Sequence, residues 1–170
     1  MTTTRTSTAR RSFRGIAVAA IAGAGIVLSP LPASAAVGGG GGGAVTAAPV
    51  AAPNGAAQTA VDTALAQRGD MYLYGATGPD RFDCSGLTSF AYKAAGVSIP
   101  RTSKAQSTFG TPVAKADLQP GDLVFFYSPV SHVGMYIGNG QMVHASTAGK
   151  PVAVVALDSM PQYQGARRIV

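Results

Sequence analysis

Phe82-Asp83-Cys84-Ser85-Gly86-Leu87 carries the only cysteine in a chain of 170 residues and sets it where a helix is expected to begin. Leu87, Phe90, Ala91 and Ala94 recur at i, i+3, i+4 and i+7 ahead of Gly96, the pattern of an amphipathic helix closed by a glycine. Asp83 stands one residue before it, in the position of an N-cap carboxylate. Cys84 then falls in the first turn, where unpaired N–H groups and the positive end of the helix dipole favour a thiolate. Its pKa is expected below the free value of about 8.5. A nucleophilic thiol and a small buried hydrophobe both fit this position.

The chain ahead of the cysteine bears on that choice. Arg5, Arg10, Arg11 and Arg14 form a basic n-region, residues 16–28 an apolar stretch, and Ala33-Ser34-Ala35 a small-residue cleavage signal, so residues 1–36 are expected to be a signal peptide. The apolar run is shorter than the 18 or so residues a membrane span needs and is followed by Pro30 and Pro32, so no stable span is expected once the signal is cleaved. Arg10-Arg11-Ser12-Phe13 also resembles a twin-arginine signal, although paired arginines are common in ordinary n-regions. Residues 37–56, with six consecutive glycines from Gly38 to Gly43, have neither periodicity nor bulk and are expected to be a flexible linker. Export would place an unpaired cysteine in an oxidising compartment with no partner in its own chain, which moves the reading toward a working thiol.

Export also alters the charge argument. The formal +6 includes the four signal arginines; without them nine Lys and Arg face seven Asp, a balance of +2. No cationic run interleaved with aromatics remains, so nucleic acid is not expected as a partner.

Residues 57–170 are expected to form one domain. Ala57, Ala60, Val61, Ala64 and Leu65 mark a helix over 57–68, and 71–82, rich in Tyr, Gly and Pro, reads as a loop before the Cys84 helix. Thr102 or Ser103 can cap a brief helix reaching Phe109, and Asp122 serves the turn that Pro120-Gly121 introduces. Short β-rich runs then follow at 123–127, 132–137, 141–145, 152–156 and 167–170. Helices first and strands afterwards indicate an α+β fold, with N-terminal helices packed on an antiparallel sheet of about five strands.

The only histidines, His132 and His144, lie on neighbouring expected strands. A two-residue turn at Asn139-Gly140 would place them on opposite faces. A three-residue turn pairing Ile137 with Gln141 would set His144 opposite Gly134 and on the face of His132, and is the expected register. A cysteine at a helix start, packed on a sheet face with two imidazoles, supplies a nucleophile, a base and an orienting group. The same three side chains could instead hold a zinc ion, but their spacings match no short zinc motif.

Several blocks in order carry a resemblance: Tyr72-Leu73-Tyr74-Gly75, Pro79-Asp80-Arg81-Phe82-Asp83-Cys84-Ser85-Gly86-Leu87, Pro100-Arg101-Thr102-Ser103, Pro120-Gly121-Asp122-Leu123, His132-Val133-Gly134-Met135-Tyr136 and His144-Ala145. Together they resemble the NlpC/p60 family of bacterial cell-wall cysteine peptidases across nearly all of 57–170. The resemblance implies a papain-like fold and a secreted, cell-wall-associated enzyme hydrolysing amide bonds of peptidoglycan stem peptides, typically between γ-linked D-glutamate and a diamino acid. It implies Cys84 as nucleophile, His132 as base and His144 as the residue that orients it. Tyr72 matches a tyrosine beside the catalytic cysteine, and Asp83 and Ser85 match positions that hold the stem peptide. No cofactor or metal is expected, and the protein is expected to be a monomer. An amidase of similar fold and a catalytically inactive wall-binding module are the rival readings. One departure is Gly75-Ala76 where many members have two glycines, so that an extra methyl is expected near the cleft.

Overall fold

Asn54 begins the first helix by accepting the Ala57 N–H through its side chain at 2.8 Å, and α1 runs Gly55–Ala66 with Ala57, Ala60, Val61 and Ala64 buried. The computed structural model describes residues 50–170; the signal peptide expected over 1–36 and the linker as far as residue 49 lie outside the described residues. None of the described helices is long and apolar enough to cross a membrane.

The stretch expected as a loop contains two short parallel strands, β1 (Met71–Tyr72) and β2 (Arg81–Phe82). They bring Tyr72 beside the start of α2, Cys84–Ala94. Its buried face is wider than the apolar stripe suggests: Thr88 and Tyr92 are buried with Leu87 and Ala91, while Ala94 is exposed. Both buried hydroxyls are satisfied, Thr88 by Gln106 Oε1 at 2.9 Å and Tyr92 by the Gly121 carbonyl at 2.6 Å. Thr102 caps α3, Ser103–Gln106.

Six strands, rather than about five, form the antiparallel sheet: β3 (Thr111–Val113), β4 (Leu123–Phe126), β5 (His132–Gly138), β6 (Gln141–His144), β7 (Ala153–Ala156) and β8 (Tyr163–Arg168), in the order β3-β8-β4-β5-β6-β7. β3 is a three-residue edge strand around Pro112, where a missing N–H costs nothing and leaves little sequence signal. The last strand begins earlier than the expected 167–170: β4 carries the ladder back past Gly165 to Tyr163, with the register shifting around Gln164, while β3 pairs with 166–168.

The helices cover one face of the sheet. Leu123, Phe125, Val133, Met135 and Val143 pack there with Ala60, Leu87 and Ala91, and Val124, Phe126, Met142, Leu157 and Ala166 form a second cluster on the other face. Asp122 is buried beneath the turn, accepting the Gln119 N–H at 2.8 Å and pairing with Arg168 at 2.7 Å.

The β5–β6 hairpin differs from its expected turn yet reaches the expected result. Asn139 and Gly140, at φ +53° and +67°, make a two-residue turn of the type Asn-Gly favours, and Gly138 pairs with Gln141. The register then shifts by one residue between Tyr136 and Gly138, so that Tyr136 pairs with Met142 and Met135 with Val143. The additional residue is thus accommodated as a bulge at Ile137, beside Gly138 at φ +95°, instead of within the turn. Continuing the shifted register sets His144 opposite Gly134 and on the same face as His132. A methyl group on Gly134 would fall 2.8 Å from Met142 Sδ and 3.5 Å from His144 Cβ.

Gly86 is required by a close approach. A Cβ there would lie 2.1 Å from the Ala76 carbonyl oxygen, which accepts the Asp83 N–H at 3.0 Å. Backbone presses on backbone, so neither side can yield by rotating a side chain. Gly86→Ala is expected to lower stability by about 3 kcal/mol, read as a fall in the urea midpoint at unchanged slope.

Candidate active site

α2 begins inside a cleft of about 580 Å3 whose lining includes Tyr72, Tyr74, Gly75, Asp83, Cys84, Ser85, Arg101 and Ser131. Asp83 fixes that start. Its Oδ1 accepts the Gly86 N–H at 2.7 Å, as an N-cap should, and its Oδ2 accepts the Gly75 N–H at 2.8 Å, tying the Tyr72 loop to the helix. Arg101 closes on the same carboxylate with two contacts, 3.0 and 2.6 Å, and also donates to Ser85 Oγ at 2.9 Å. Burial would raise the Asp83 pKa, but Arg101 and the two backbone N–H groups outweigh it and hold the carboxyl below its ordinary value. Arg101, which is not among the site residues expected from sequence, is therefore half of a bidentate pair on the cleft wall. Its presence in the Pro100-Arg101-Thr102-Ser103 block is the signal that could have identified it.

Gln106 is a second residue missed from sequence. Fully buried, it donates from Nε2 to Pro100 O at 2.8 Å and lies 3.2 Å from Ser85 O, coupling α3 and the Arg101 segment to the first turn of α2. Ala76, by contrast, is not among the cleft-lining residues; it lines a neighbouring surface depression with Leu73, Gly78 and Arg81, which meets the cleft at Gly75. The extra methyl expected near the cleft therefore does not belong to a cleft-lining residue.

The histidines form a couple. His132 Nε2 and His144 Nδ1 are 2.9 Å apart, both rings buried, with planes inclined at 79°. Their route to the sulfur differs from the expected one. α2 packs on the face presenting Val133, Met135 and Val143, whereas His132 and His144 occupy the alternate positions, with His132 against Phe126 and Tyr127. Cys84 meets β5 at its beginning, where the Val133 N–H hydrogen-bonds to the sulfur one residue beyond His132. Since His132 Nε2 is engaged by His144, Nδ1 is the nitrogen left to face a thiol. A neutral His132 doing so carries its proton on Nε2 and donates it to His144 Nδ1.

The charge state of the sulfur also departs from expectation. Burial is the largest influence and pushes the thiol pKa up; the Asp83 carboxylate adds to the rise, and hydrogen bonds from Val133 and Ser85 only partly oppose it. The helix start does not by itself produce a standing thiolate. Burial, followed by the neighbouring His144, pushes His132 down to about 4, and burial lowers His144 as well. At neutral pH the resting site is a neutral thiol beside neutral imidazoles. Tyr72 keeps its proton too, with its pKa raised by burial and by Cys84 and Asp83, so its hydroxyl is available to donate.

A consequence for stability follows. The unfolded chain takes up a proton on His132 near 6.5 and the folded chain only near 4, so lowering pH through that window favours unfolding, by on the order of 3 kcal/mol for this residue. Urea titrations at pH 7 and pH 4 are expected to show the loss, and His132→Gln to remove most of it.

Among the described residues, no cluster of three or more His, Cys, Asp or Glu could hold a metal ion. The NlpC/P60 family model matches residues 69–167. A protein of Corynebacterium glutamicum named "probable endopeptidase" is 51% identical over 124 residues, which cover 73% of this chain and 58% of that one. The chain therefore spans little more than half the length of this curated relative. Among solved structures, the peptidoglycan hydrolase RipB of Mycobacterium tuberculosis is 33% identical with a TM-score of 0.62, the match covering 68% of this chain and 65% of that one. The P60 domain of an antigen from M. avium subspecies paratuberculosis is 32% identical with a TM-score of 0.62, over 68% of this chain and 95% of that one.

Proposed function

The chain belongs to the NlpC/P60 family, and on that premise we propose that it is an exported, thiol-dependent peptidoglycan endopeptidase cutting stem peptides between γ-D-glutamate and a diamino acid. The observation that carries this reading is the 2.9 Å couple between His144 of β6 and His132 of β5, the strand whose Val133 N–H reaches the Cys84 sulfur.

The steps follow from the geometry. His132 Nδ1 takes the Cys84 proton as the sulfur attacks the amide carbonyl, and the imidazolium formed is held by the Nε2–H to His144 Nδ1. The oxyanion is met at the start of α2, where the Cys84 N–H is not used by the Asp83 cap, with the Tyr72 hydroxyl as second donor. His132 then protonates the leaving amine and serves again as base when water opens the acyl-enzyme. Asp83, Ser85 and Arg101 form the polar wall along which the stem peptide lies. The expected signal peptide and the linker ahead of Asn54, the cap of α1, would carry the domain out to the wall.

Digestion of purified peptidoglycan, with mass spectrometry of the fragments, tests this. The full chain is expected to release peptides with a new amine on the diamino acid, and Cys84→Ala none. Whole stem peptides freed from sugar would identify an amidase instead. Binding without any new amine would identify a wall-binding module.

A further inference from the structure

A second groove, of about 320 Å3, adjoins the catalytic cleft, and its lining includes Ser107, Phe125, Val130, Gln164 and Arg167. Their linings draw on the same two segments of the chain. Ser103 lines the cleft and Ser107 the groove, one helical turn apart and joined by a 3.0 Å backbone hydrogen bond; Ser131 lines the cleft and Val130, its neighbour, the groove. Four residues of helix rise about 6 Å, which an extended peptide crosses in about two residues.

Arg167 is the charged group in this groove. It pairs with Leu123 and Pro112 across β8, so its side chain projects on the helix-covered face. Nε donates to the Ser107 carbonyl at 2.7 Å, and Nη1 lies 3.5 Å from the Gly110 carbonyl. Those contacts orient the guanidinium without neutralising it. Among the described residues the ion pairs are Arg101–Asp83, Lys115–Asp158 and Arg168–Asp122, and none includes Arg167. A half-buried, oriented guanidinium with no acidic partner suits a ligand carboxylate.

We propose that the groove extends the cleft on the leaving-group side and that Arg167 binds a carboxylate of the diamino-acid portion of the substrate. The side is set by His132: it protonates the leaving amine, and Ser131 and Val130 lead from it into the groove. This assignment rests on the endopeptidase reading above.

Steady-state kinetics on soluble stem peptides test it, using the free acid and forms amidated either on the leaving portion or on the acyl portion. Wild type is expected to show a KM about tenfold higher when the leaving portion is amidated, with kcat within twofold. Arg167→Gln is expected to raise KM about tenfold on the free acid and to abolish the discrimination. Gln164→Glu, on an exposed groove position, keeps the Arg167 anchor; it is expected to weaken the free acid several-fold and leave the amide unchanged. Turnover by wild type that ignores amidation of the leaving portion, or that responds only to amidation of the acyl portion, would overturn the proposal and leave the endopeptidase reading standing. If no peptide is cleaved, that reading itself fails, and equal affinity of wild type for free acid and leaving-portion amide by calorimetry would then remove the carboxylate site as well.

Discussion

Replacing Cys84 by alanine is expected to lower kcat for stem-peptide cleavage by about four to six orders of magnitude while leaving the fold intact. The sulfur is half-buried at the start of α2, and the bonds that fix this turn come from Asp83, Arg101 and Gln106, not from the thiol. His132→Ala is expected to lose a similar factor, because the proposed mechanism uses no other base, and the double variant should be little worse than either single one. In the proposed mechanism His144 acts through His132, whose Nε2 lies 2.9 Å from its Nδ1. His144→Ala should cost about a hundredfold, and His144→Asn should recover part of that through a carbonyl that can accept the His132 Nε2–H. The readout is release of new amines from peptidoglycan, alongside circular dichroism and the urea midpoint of each variant. An alanine at Cys84 that retained cleavage would remove the proposed mechanism.

The second large effect concerns pH. Burial pushes the Cys84 thiol up and His132 down, so both are neutral and the reactive thiolate is a minor species at neutral pH. Alkylation of Cys84 by iodoacetamide is therefore expected to accelerate about tenfold per pH unit from pH 6 to pH 9, roughly a thousandfold in all. A standing thiolate–imidazolium pair would instead give a rate nearly level across that range. Hydrolysis is expected to behave differently at the acid end. His132 is protonated only below about 4, so kcat/KM should keep its base well under pH 6.5 and fall as pH approaches 4. A flat alkylation profile would show that His132 holds the proton of Cys84 in the resting enzyme.

Much of this architecture was legible along the chain because it depends on local periodicity. The α1 stripe, the Asp83 cap, the Thr102 cap and four of the six sheet strands all follow from residues within a few positions of one another. The hairpin illustrates where such reasoning stops. Local turn chemistry at Asn139-Gly140 decides a two-residue turn, which alone would separate the histidines; a bulge at Ile137, accommodated beside Gly138, reunites them. The side-chain period of two makes that single residue decisive.

The sequence by itself determined the family, the α+β order, the lone cysteine at a helix start and the pair of histidines available to serve it. Only the tertiary structure decided that the imidazoles meet at 2.9 Å, that the Val133 N–H at the beginning of β5 hydrogen-bonds to the Cys84 sulfur, that Arg101 and Gln106 brace the first turn of α2, and that Arg167 has no acidic partner among the described residues. Identity and spacing specify which groups can form a helix or strand, because those bonds are local. The proton state of Cys84 and His132 depends on how much water and which charges the folded chain leaves around them. Burial, acting through residues distant in sequence, pushes the thiol up and the imidazole down.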